Sequence, residues 1–283
     1  MKKITAIIYK AIEYHFTPYL VFILIISILL FPIVWMFITA LKPLSETFIY
    51  PPTIIPEKLT FSAFEEVLFK SPIPQNILNS LIITITNVII TTFFAFFVAC
   101  GISKYRYKGS KNVLFLFLFS RIIPPLALLI PYYILLTSLK LINTLNGLIV
   151  INFYICFPLA VWILKSFIDD FPQDLIDAAR IDGCSRIGII FRIMIPLLAT
   201  SIAATAIIVF LWTWNEFIFA AMFTHTREVQ PLTVGIYYFV GDEYVDWPRL
   251  SATAIIATIP GIIFLIMAQK YIIKGLIAGA IKK

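Results

Sequence analysis

The sequence contains few charged residues. Asp, Glu, Lys and Arg make up 13% of its 283 residues, whereas a soluble globular domain has about 25%. Hydrophobic residues account for 61% of the chain. Such a chain has too few polar side chains to cover a surface that faces water on all sides, so the composition indicates an integral membrane protein.

Residues suited to metal, redox or acid–base chemistry are also scarce. The three cysteines, Cys100, Cys156 and Cys184, are far apart, and none lies at metal-ligand spacing from another Cys or a His. This pattern predicts neither a disulfide framework nor a metal site. The two histidines, His15 and His225, lie near opposite sides of the predicted membrane without a nucleophile nearby. A membrane enzyme is therefore disfavoured.

No phosphate-binding loop is present. The ten glycines are dispersed, and none is followed directly by Lys-Ser or Lys-Thr, as the Walker A motif requires. The net charge of +7 invites a nucleic-acid interpretation, but the basic residues are spread over short loops without an aromatic–basic platform. The positive-inside bias of membrane proteins accounts for them, so no nucleic-acid partner is predicted.

Long apolar segments are what the chain has in abundance. Six of them are long enough to cross a bilayer, at about 19–41, 77–101, 113–138, 146–164, 199–222 and 250–270. The first lacks a small-residue cleavage site, so it is interpreted as a retained helix. We predict an all-α integral membrane fold in which residues 1–283 form a single transmembrane domain.

Prolines are concentrated in the third span. Pro124, Pro125 and Pro131 lie there, and Pro158 lies in the fourth span. Each proline removes a backbone donor and bends the helix, which is tolerated beside protein or a cavity. The third span is thus either a helix that lines a pathway or a kinked packing helix, and the sequence leaves both open.

Lys and Arg counts orient these spans. Fifteen of these residues lie in the first segment, the second and fourth loops and the tail, against six on the other side together with eight acids. The positive-inside rule then places both termini in the cytoplasm. The fifteen are Lys2, Lys3, Lys10, Lys104, Arg106, Lys108, Lys111, Lys165, Arg180, Arg186, Arg192, Lys270, Lys274, Lys282 and Lys283.

Two outer loops have distinct compositions. The first, about 42–76, is rich in proline and includes an amphipathic piece from Phe61 to Phe69 that is expected at the membrane surface. The last, Thr224 to Arg249, combines acids with aromatics. It is either an interfacial aromatic belt or a contact surface for an extracytoplasmic partner.

The fourth loop, 165–196, is longer than a simple turn between two spans requires. Pro172 and Asp174 suit a helix N-terminus, and Gly183 permits a turn that a β-carbon would oppose. The pattern predicts a short two-part helical hairpin in the cytoplasm. From the residues alone it is either a docking element or an ordinary connection.

The spacing inside this loop resembles a known signature. Asp177-Ala178-Ala179, three residues, Gly183, nine residues, and then Ile193, Met194, Ile195 and Pro196 resemble the EAA motif of ABC importer permeases, E-A-A-x3-G-x9-I-x-L-P. Asp replaces Glu and Ile replaces Leu, while every spacing is kept. The chain also resembles the maltose-type, carbohydrate-uptake branch at Arg121–Pro125, Trp214–Phe217, Asp182-Gly183 and Ala278–Ala280.

This resemblance implies a MetI-like ABC importer permease fold and a transport subunit without enzymatic activity. It implies that 165–196 docks on a cytoplasmic ATPase, and that Gly183→Asp abolishes coupling while leaving membrane insertion intact. The residues implied in coupling are Asp177, Ala178, Ala179, Asp182, Gly183, Ile193 and Pro196.

The resemblance also implies a set of partners. They are a second permease subunit in a heterodimer, two ATPase copies that bind ATP and Mg, an extracytoplasmic solute-binding protein and membrane lipid. The chain itself is expected to bind no cofactor. Its location would be the inner membrane of a bacterial or archaeal cell. The alternative substrate class is a non-sugar solute such as glycerol phosphate, a polyamine or a phosphonate.

Three polar residues inside predicted spans are substrate-path candidates, because such residues are costly in lipid and are often functional. For Arg121 the alternative is a clamp on carbonyls freed by Pro124 and Pro125. Asn215 and Glu216 either bond sugar hydroxyls or pack against the partner permease. Arg121 and Glu216 differ in depth by about 13 Å at 1.5 Å per residue, so no direct ion pair is expected. Only Glu216 is a buried-carboxylate candidate, which disfavours an ion-coupled transporter or a channel.

Overall fold

The computed structural model describes the backbone of residues 2–105, 108–241 and 243–280 and the side chains within 18–269 of these ranges. Several residues used above lie outside the described residues, by backbone or by side chain. They are Lys2, Lys3, Lys10, His15, Arg106, Asp242, Lys270, Lys274, Ala278–Ala280, Lys282 and Lys283.

The predicted all-α fold is confirmed, since α-helices dominate the described residues. They are α1 Lys2–Ala40, α2 Ser62–Phe69, α3 Ile73–Lys104, α4 Ser110–Ser120, α5 Leu129–Ser138, α6 Leu145–Asp169, α7 Gln173–Ile181, α8 Arg186–Ile189, α9 Ile195–Leu197, α10 Ala199–Trp214, α11 Ile218–Phe223, α12 Leu232–Gly235 and α13 Trp247–Ala280. Shorter 3₁₀ turns occupy Leu44–Phe48, Pro125–Leu128 and Ile236–Phe239, and a π-helical turn occupies Ile190–Met194.

Among the described residues, four helices are long and apolar enough to cross a membrane, in α1, α3, α6 and α13. The number becomes six if each of two bent helix pairs forms one span. One pair is α4 with Pro125–Ser138, bent by 95°, and the other is Arg186–Leu197 with α10, bent by 76°.

Two predicted spans are not continuous helices. The span predicted at 113–138 is interrupted between Ser120 and Pro125, where Pro124 and Pro125 lack the N–H groups that a continuing helix needs. The span predicted at 199–222 is interrupted after Trp214 and resumes at Ile218. The fourth span is longer than predicted, because α6 extends five residues past 164 to Asp169.

The described parts of the chain form two compact units. Met1–Ser71 and Tyr238–Ile256 make up the first, and Pro72–Tyr237 and Ala257–Lys283 make up the second. In the second unit α3, α6 and α10 pack on one another. Small buried residues, Ala95, Ala99 and Ala160, lie in this core and allow helix backbones to approach closely, which favours association inside a membrane.

A stripe of buried polar residues runs along α3. Its members are Asn76, Asn79, Ser80, Thr84, Asn87 and Thr91, and apart from the adjacent pair Asn79 and Ser80 they are three or four positions apart. Near the middle, Asn87 Nδ2 donates to Thr213 Oγ1 of α10 at 2.6 Å. Near the start, Asn76 and Asn79 donate to the backbone oxygen of Gln230 at 2.7 and 2.9 Å. The stripe therefore fixes the rotation of α3 about its own axis.

The first unit contains a compact polar turn at Leu44–Phe48. Glu46 is buried, and its Oε1 accepts hydrogen bonds from Thr53 Oγ1 at 2.6 Å and from the backbone N–H of Glu57 at 3.1 Å. Lys42 donates to the Thr53 carbonyl and lies 5.5 Å from the centroid of the Trp35 ring. These side-chain contacts hold the proline-rich segment in place between α1 and α2.

We expect this turn to loosen in acid. The Thr53 hydroxyl, the Glu57 N–H and the Lys42 charge lower the pKa of Glu46 despite its burial. A lowered folded-state pKa stabilises the turn above the ordinary glutamate value of about 4.3, and this stability is lost as the pH falls through the lower folded-state value. Hydrogen-exchange protection over residues 42–57, after correction for the intrinsic exchange rate at each pH, should therefore fall on acidification below about pH 4. Glu46→Gln should show little of this pH dependence, and an equal loss of protection in both proteins would contradict the assignment.

Candidate functional site

The element formed by the fourth loop begins where α6 ends. The chain turns at 170–172, and α7 starts at Gln173 with Pro172 just before it and Asp174 in its first turn, as the sequence predicts. Phe171, Ile176 and Ala179 are buried in the core of the second unit. The inner face of α7 is thus attached to the membrane helices.

The opposite face of α7 is exposed. Asp174, Asp177, Ala178 and Ile181 follow i, i+3, i+4, i+7 spacing and all face solvent. Asp177 Oδ1 accepts hydrogen bonds from Gln173 Nε2 at 3.2 Å and from Arg180 Nη1 at 3.1 Å. Ile181 is 86% exposed, so this acidic face also presents an apolar side chain to water. We call Asp174, Asp177, Ala178, Ile181 and Asp182 the docking face.

Gly183 ends α7 in a Schellman motif. Its φ is +79°, its N–H donates to the Arg180 carbonyl at 3.0 Å, and the Cys184 N–H donates to the Ala179 carbonyl at 2.9 Å. This pair of bonds satisfies helix-terminal carbonyls and places Gly at the left-handed position. The glycine turn predicted from the sequence is present.

The remaining predicted coupling residues lie at different depths. Ala179 is buried within the chain and Ile193 packs against the same core, so neither side chain is free to contact a partner. Pro196 is exposed in α9. The sequence analysis did not identify Ile187, which is 69% exposed in α8; with Ile189 in the same helix, no local pattern marks it.

The C-terminal end of α3 is attached to this element by polar contacts. Asp169 accepts hydrogen bonds from Ser103 Oγ and Lys165 Nζ, both at 2.5 Å. Lys104 Nζ donates to the Phe171 carbonyl at 2.9 Å. The guanidinium of Arg186 lies 5.5 Å from the Tyr105 ring centroid. Displacement of α7 would therefore be transmitted to both α3 and α6.

Arg121 lies at the interruption between α4 and α5. Its Nη1 donates to the Ile155 carbonyl of α6 at 3.0 Å, and its guanidinium lies 5.5 Å from the Trp212 ring centroid. The clamp considered from the sequence therefore exists in a different form. The carbonyl that Arg121 holds belongs to Ile155, three residues before Pro158 in α6, and it is not one freed by Pro124 or Pro125.

Glu216 lies in the interruption between α10 and α11. Its Oε1 accepts from the Phe219 N–H at 2.8 Å and its Oε2 from the Ala220 N–H at 3.0 Å. The carboxylate thus satisfies two donors at the start of α11 and complements their partial positive charge. Asn215 is exposed and donates to the Leu211 carbonyl at 2.8 Å. Arg121 and Glu216 form no ion pair within the described residues.

Comparison with known proteins places this architecture in a family. Residues 91–277 match the family model described as binding-protein-dependent transport system inner membrane component. The chain belongs to this family, which confirms its predicted resemblance to ABC importer permeases. Members are membrane-spanning transport subunits, not enzymes, and operate with an ATPase and a solute-binding protein.

Individual relatives cover nearly the whole chain. It is 33% identical to the trehalose/maltose transport system permease protein MalG of Thermococcus litoralis, over 92% of this chain and 94% of that protein. It is 29% identical to the sulfoquinovosyl glycerol transport system permease protein SmoH of Agrobacterium fabrum, over 89% of each chain. A crystal structure of a bacterial ABC transporter involved in alginate import superposes with a TM-score of 0.79 at 20% identity, covering 92% of this chain and 96% of that one. That likeness supports the fold.

Proposed function

We propose that this chain is the permease subunit of an ATP-driven sugar importer and forms half of its translocation pathway. The other half would be a second permease subunit, and the complex would include two ATPase copies and an extracytoplasmic solute-binding protein. The observation that carries the proposal is the docking face on α7, which is exposed on one side and joined to α3 and α6 on the other.

The coupling step would start at the docking face. ATP and Mg would bind to the separate ATPase, and closure of the two ATPase copies would move α7 as a rigid body. The contacts of Asp169 with Ser103 and of Lys104 with the Phe171 carbonyl would then carry this movement into the membrane helices. The pathway would alternate between inward-facing and outward-facing states.

Within the proposed coupling set, the residues divide into two roles. Asp177, Ala178 and Asp182 would contact the ATPase, because their side chains are exposed. Ala179, Gly183 and Ile193 would position this face from behind, because the first and last are packed inward and Gly183 ends the helix. Pro196 would fix the bend that leads from α9 into α10.

The orientation we propose has both termini in the cytoplasm, which puts the docking face on the ATPase side. The excess of Lys and Arg in the loops on that side supports it. The cell membrane of a bacterium or an archaeon is the proposed location.

The proposed substrate class is a sugar or an oligosaccharide. It is supported by the names of the relatives, which include trehalose/maltose and melibiose/raffinose/stachyose permeases. Arg121, Asn215 and Glu216 are the proposed path residues, with Glu216 also capping α11. A permease for glycerol phosphate, a polyamine or a phosphonate is the second candidate.

Reconstitution tests the proposal directly. Proteoliposomes that contain this chain, its partner permease and the ATPase, supplied with the binding protein, should accumulate radiolabelled sugar only when ATP is inside. Vesicles in which Mg-ATP is replaced by Mg-ADP serve as the control. Accumulation of a polyamine or a phosphonate without any sugar uptake would overturn the sugar assignment, and ATP-independent uptake would overturn the importer mechanism.

A further inference from the structure

A cavity lies at the end of the helix bundle that carries the docking face. It measures about 1390 Å³ and is open to the surface, so it has room for a whole phospholipid headgroup as well as for a free phosphate ion. Its walls come from the C-terminal ends of α3 and α6, the start of α4 and the start of α7. The lining residues include Ile102, Lys104, Lys111, Leu114, Lys165 and Asp169.

The wall of this cavity is positively charged. Three lysines line it, Lys104, Lys111 and Lys165, against one described carboxylate, that of Asp169. Asp169 is paired with Lys165, and Lys104 Nζ donates to the Phe171 carbonyl at 2.9 Å. Lys111 forms no ion pair within the described part of the chain. An anion that enters the cavity therefore meets an excess of positive charge.

The N-terminus of α4 adds to this charge. Gly109 precedes the helix at a φ of +98° and, without a side chain, provides no cap for the first N–H groups. These groups form the positive end of the helix dipole and are suited to phosphate oxygens. Ser110 and Asn112 also line the cavity and offer a hydroxyl and an amide. Backbone and side-chain donors thus occur together at this wall.

Part of the wall is apolar. Ile102, Leu114 and Phe171 line it, and α4 continues from here as an apolar helix with Phe115 exposed. The start of such a helix lies at the level of the headgroups in a bilayer. A free phosphate would leave the apolar wall in water, whereas a phospholipid would cover it with its first methylene groups. Basic pockets between the ends of membrane helices bind anionic headgroups.

We propose that this cavity binds a phosphate group, supplied by the headgroup of an anionic phospholipid. Lys111 and the N–H groups at the start of α4 would hold the phosphate, and Leu114 would contact the acyl end of the lipid. A lipid bound there would join α3, α4 and α6 where α7 begins, and would stiffen the connection between the docking face and the membrane helices. The proposal does not depend on which solute is transported.

Lys111→Gln is the sharpest variant, and Lys108→Gln is its matched control. Both remove one exposed positive charge, three positions apart, but Lys108 does not line the cavity. The full-length chain, purified in neutral detergent with its associated subunits, is titrated with phosphatidylglycerol or phosphatidylcholine, and native mass spectrometry counts the bound lipids. The wild type should bind phosphatidylglycerol more tightly. Lys111→Gln should weaken this binding about fivefold, the effect of one cation near an anionic headgroup, and Lys108→Gln should leave it unchanged.

Inorganic phosphate distinguishes the two sources of the phosphate group. If it raises the melting temperature of the complex more than chloride at equal ionic strength, and Lys111→Gln removes this effect, the site is supported with a soluble ligand and the lipid source is overturned. Equal binding of the two lipids without a phosphate effect, or an equal loss in Lys108→Gln and Lys111→Gln, would overturn the site. Without lipid all three proteins should melt at the same temperature, because both lysines are exposed.

Discussion

Replacing Gly183 with valine is expected to uncouple ATP hydrolysis from transport. Gly183 has a φ of +79°, a region that costs ordinary residues about 1–2 kcal/mol and β-branched residues more. A Cβ at this position would meet nothing within 4 Å, so the effect comes from the backbone and not from a clash. Relief of the strain would open the Schellman motif and displace the docking face.

Asparagine and aspartate at position 183 form a matched pair. Both tolerate the left-handed region better than valine and have nearly the same shape, so their difference reports charge. We expect Gly183→Asn to retain much of the sugar-stimulated ATPase activity. Gly183→Asp should lose it, because it adds a carboxylate beside Asp182 on the docking face.

The measurements are ATP hydrolysis stimulated by the loaded binding protein, sugar uptake, and the amount of chain in purified membranes. Gly183→Val and Gly183→Asp should reduce the stimulated ATP hydrolysis and the sugar uptake at least tenfold. The amount of chain in the membrane should stay unchanged. Wild-type uptake in either variant would show that this turn does not carry the coupling. A parallel loss of chain from the membrane would show that the turn is needed for folding.

Removal of the Glu216 carboxylate is expected to destabilise the membrane core. Glu216→Ala leaves the N–H groups of Phe219 and Ala220 without their acceptors, at a cost of about 1–3 kcal/mol each, because water is scarce at this depth and cannot replace them. Glu216→Gln retains one acceptor oxygen and should lose about half as much stability. The melting temperature of the purified complex should therefore fall more in Glu216→Ala than in Glu216→Gln.

Asn215→Ala is the comparison for stability. Asn215 is exposed, and its side chain bonds only the Leu211 carbonyl among the contacts described, so its loss should lower the melting temperature much less than Glu216→Ala. If Glu216 instead acts mainly on the substrate, Glu216→Ala would keep wild-type stability and lose uptake. That result would contradict the capping role.

The sequence predicted the class and much of the local chemistry because these follow short-range rules. Apolar length gave the spans, and Pro172, Asp174 and Gly183 marked the two ends of α7. The interruptions in the third and fifth spans were harder to predict from the sequence. Proline predicts a bend but not its angle of 95°, and nothing local distinguishes Glu216 as a helix cap from Glu216 as a ligand.

The sequence also did not predict the direction in which individual side chains point. The signature sets Ala178 and Ala179 side by side, but the helix turns them onto different faces, with Ala178 exposed and Ala179 in the core. The α3 stripe was missed as well. Asn87 and Thr213 are 126 residues apart, and no spacing rule connects residues at that distance.

The polar stripe on α3 has a consequence for how the protein is made. A helix with Asn76, Asn79, Asn87, Thr84 and Thr91 on one side is poorly solvated by acyl chains until other segments supply acceptors and donors. One of its partners, Thr213, is synthesised more than a hundred residues later. The polar face of α3 can therefore find all of its partners only after α10 has been synthesised. The order of translation sets the order in which this core closes.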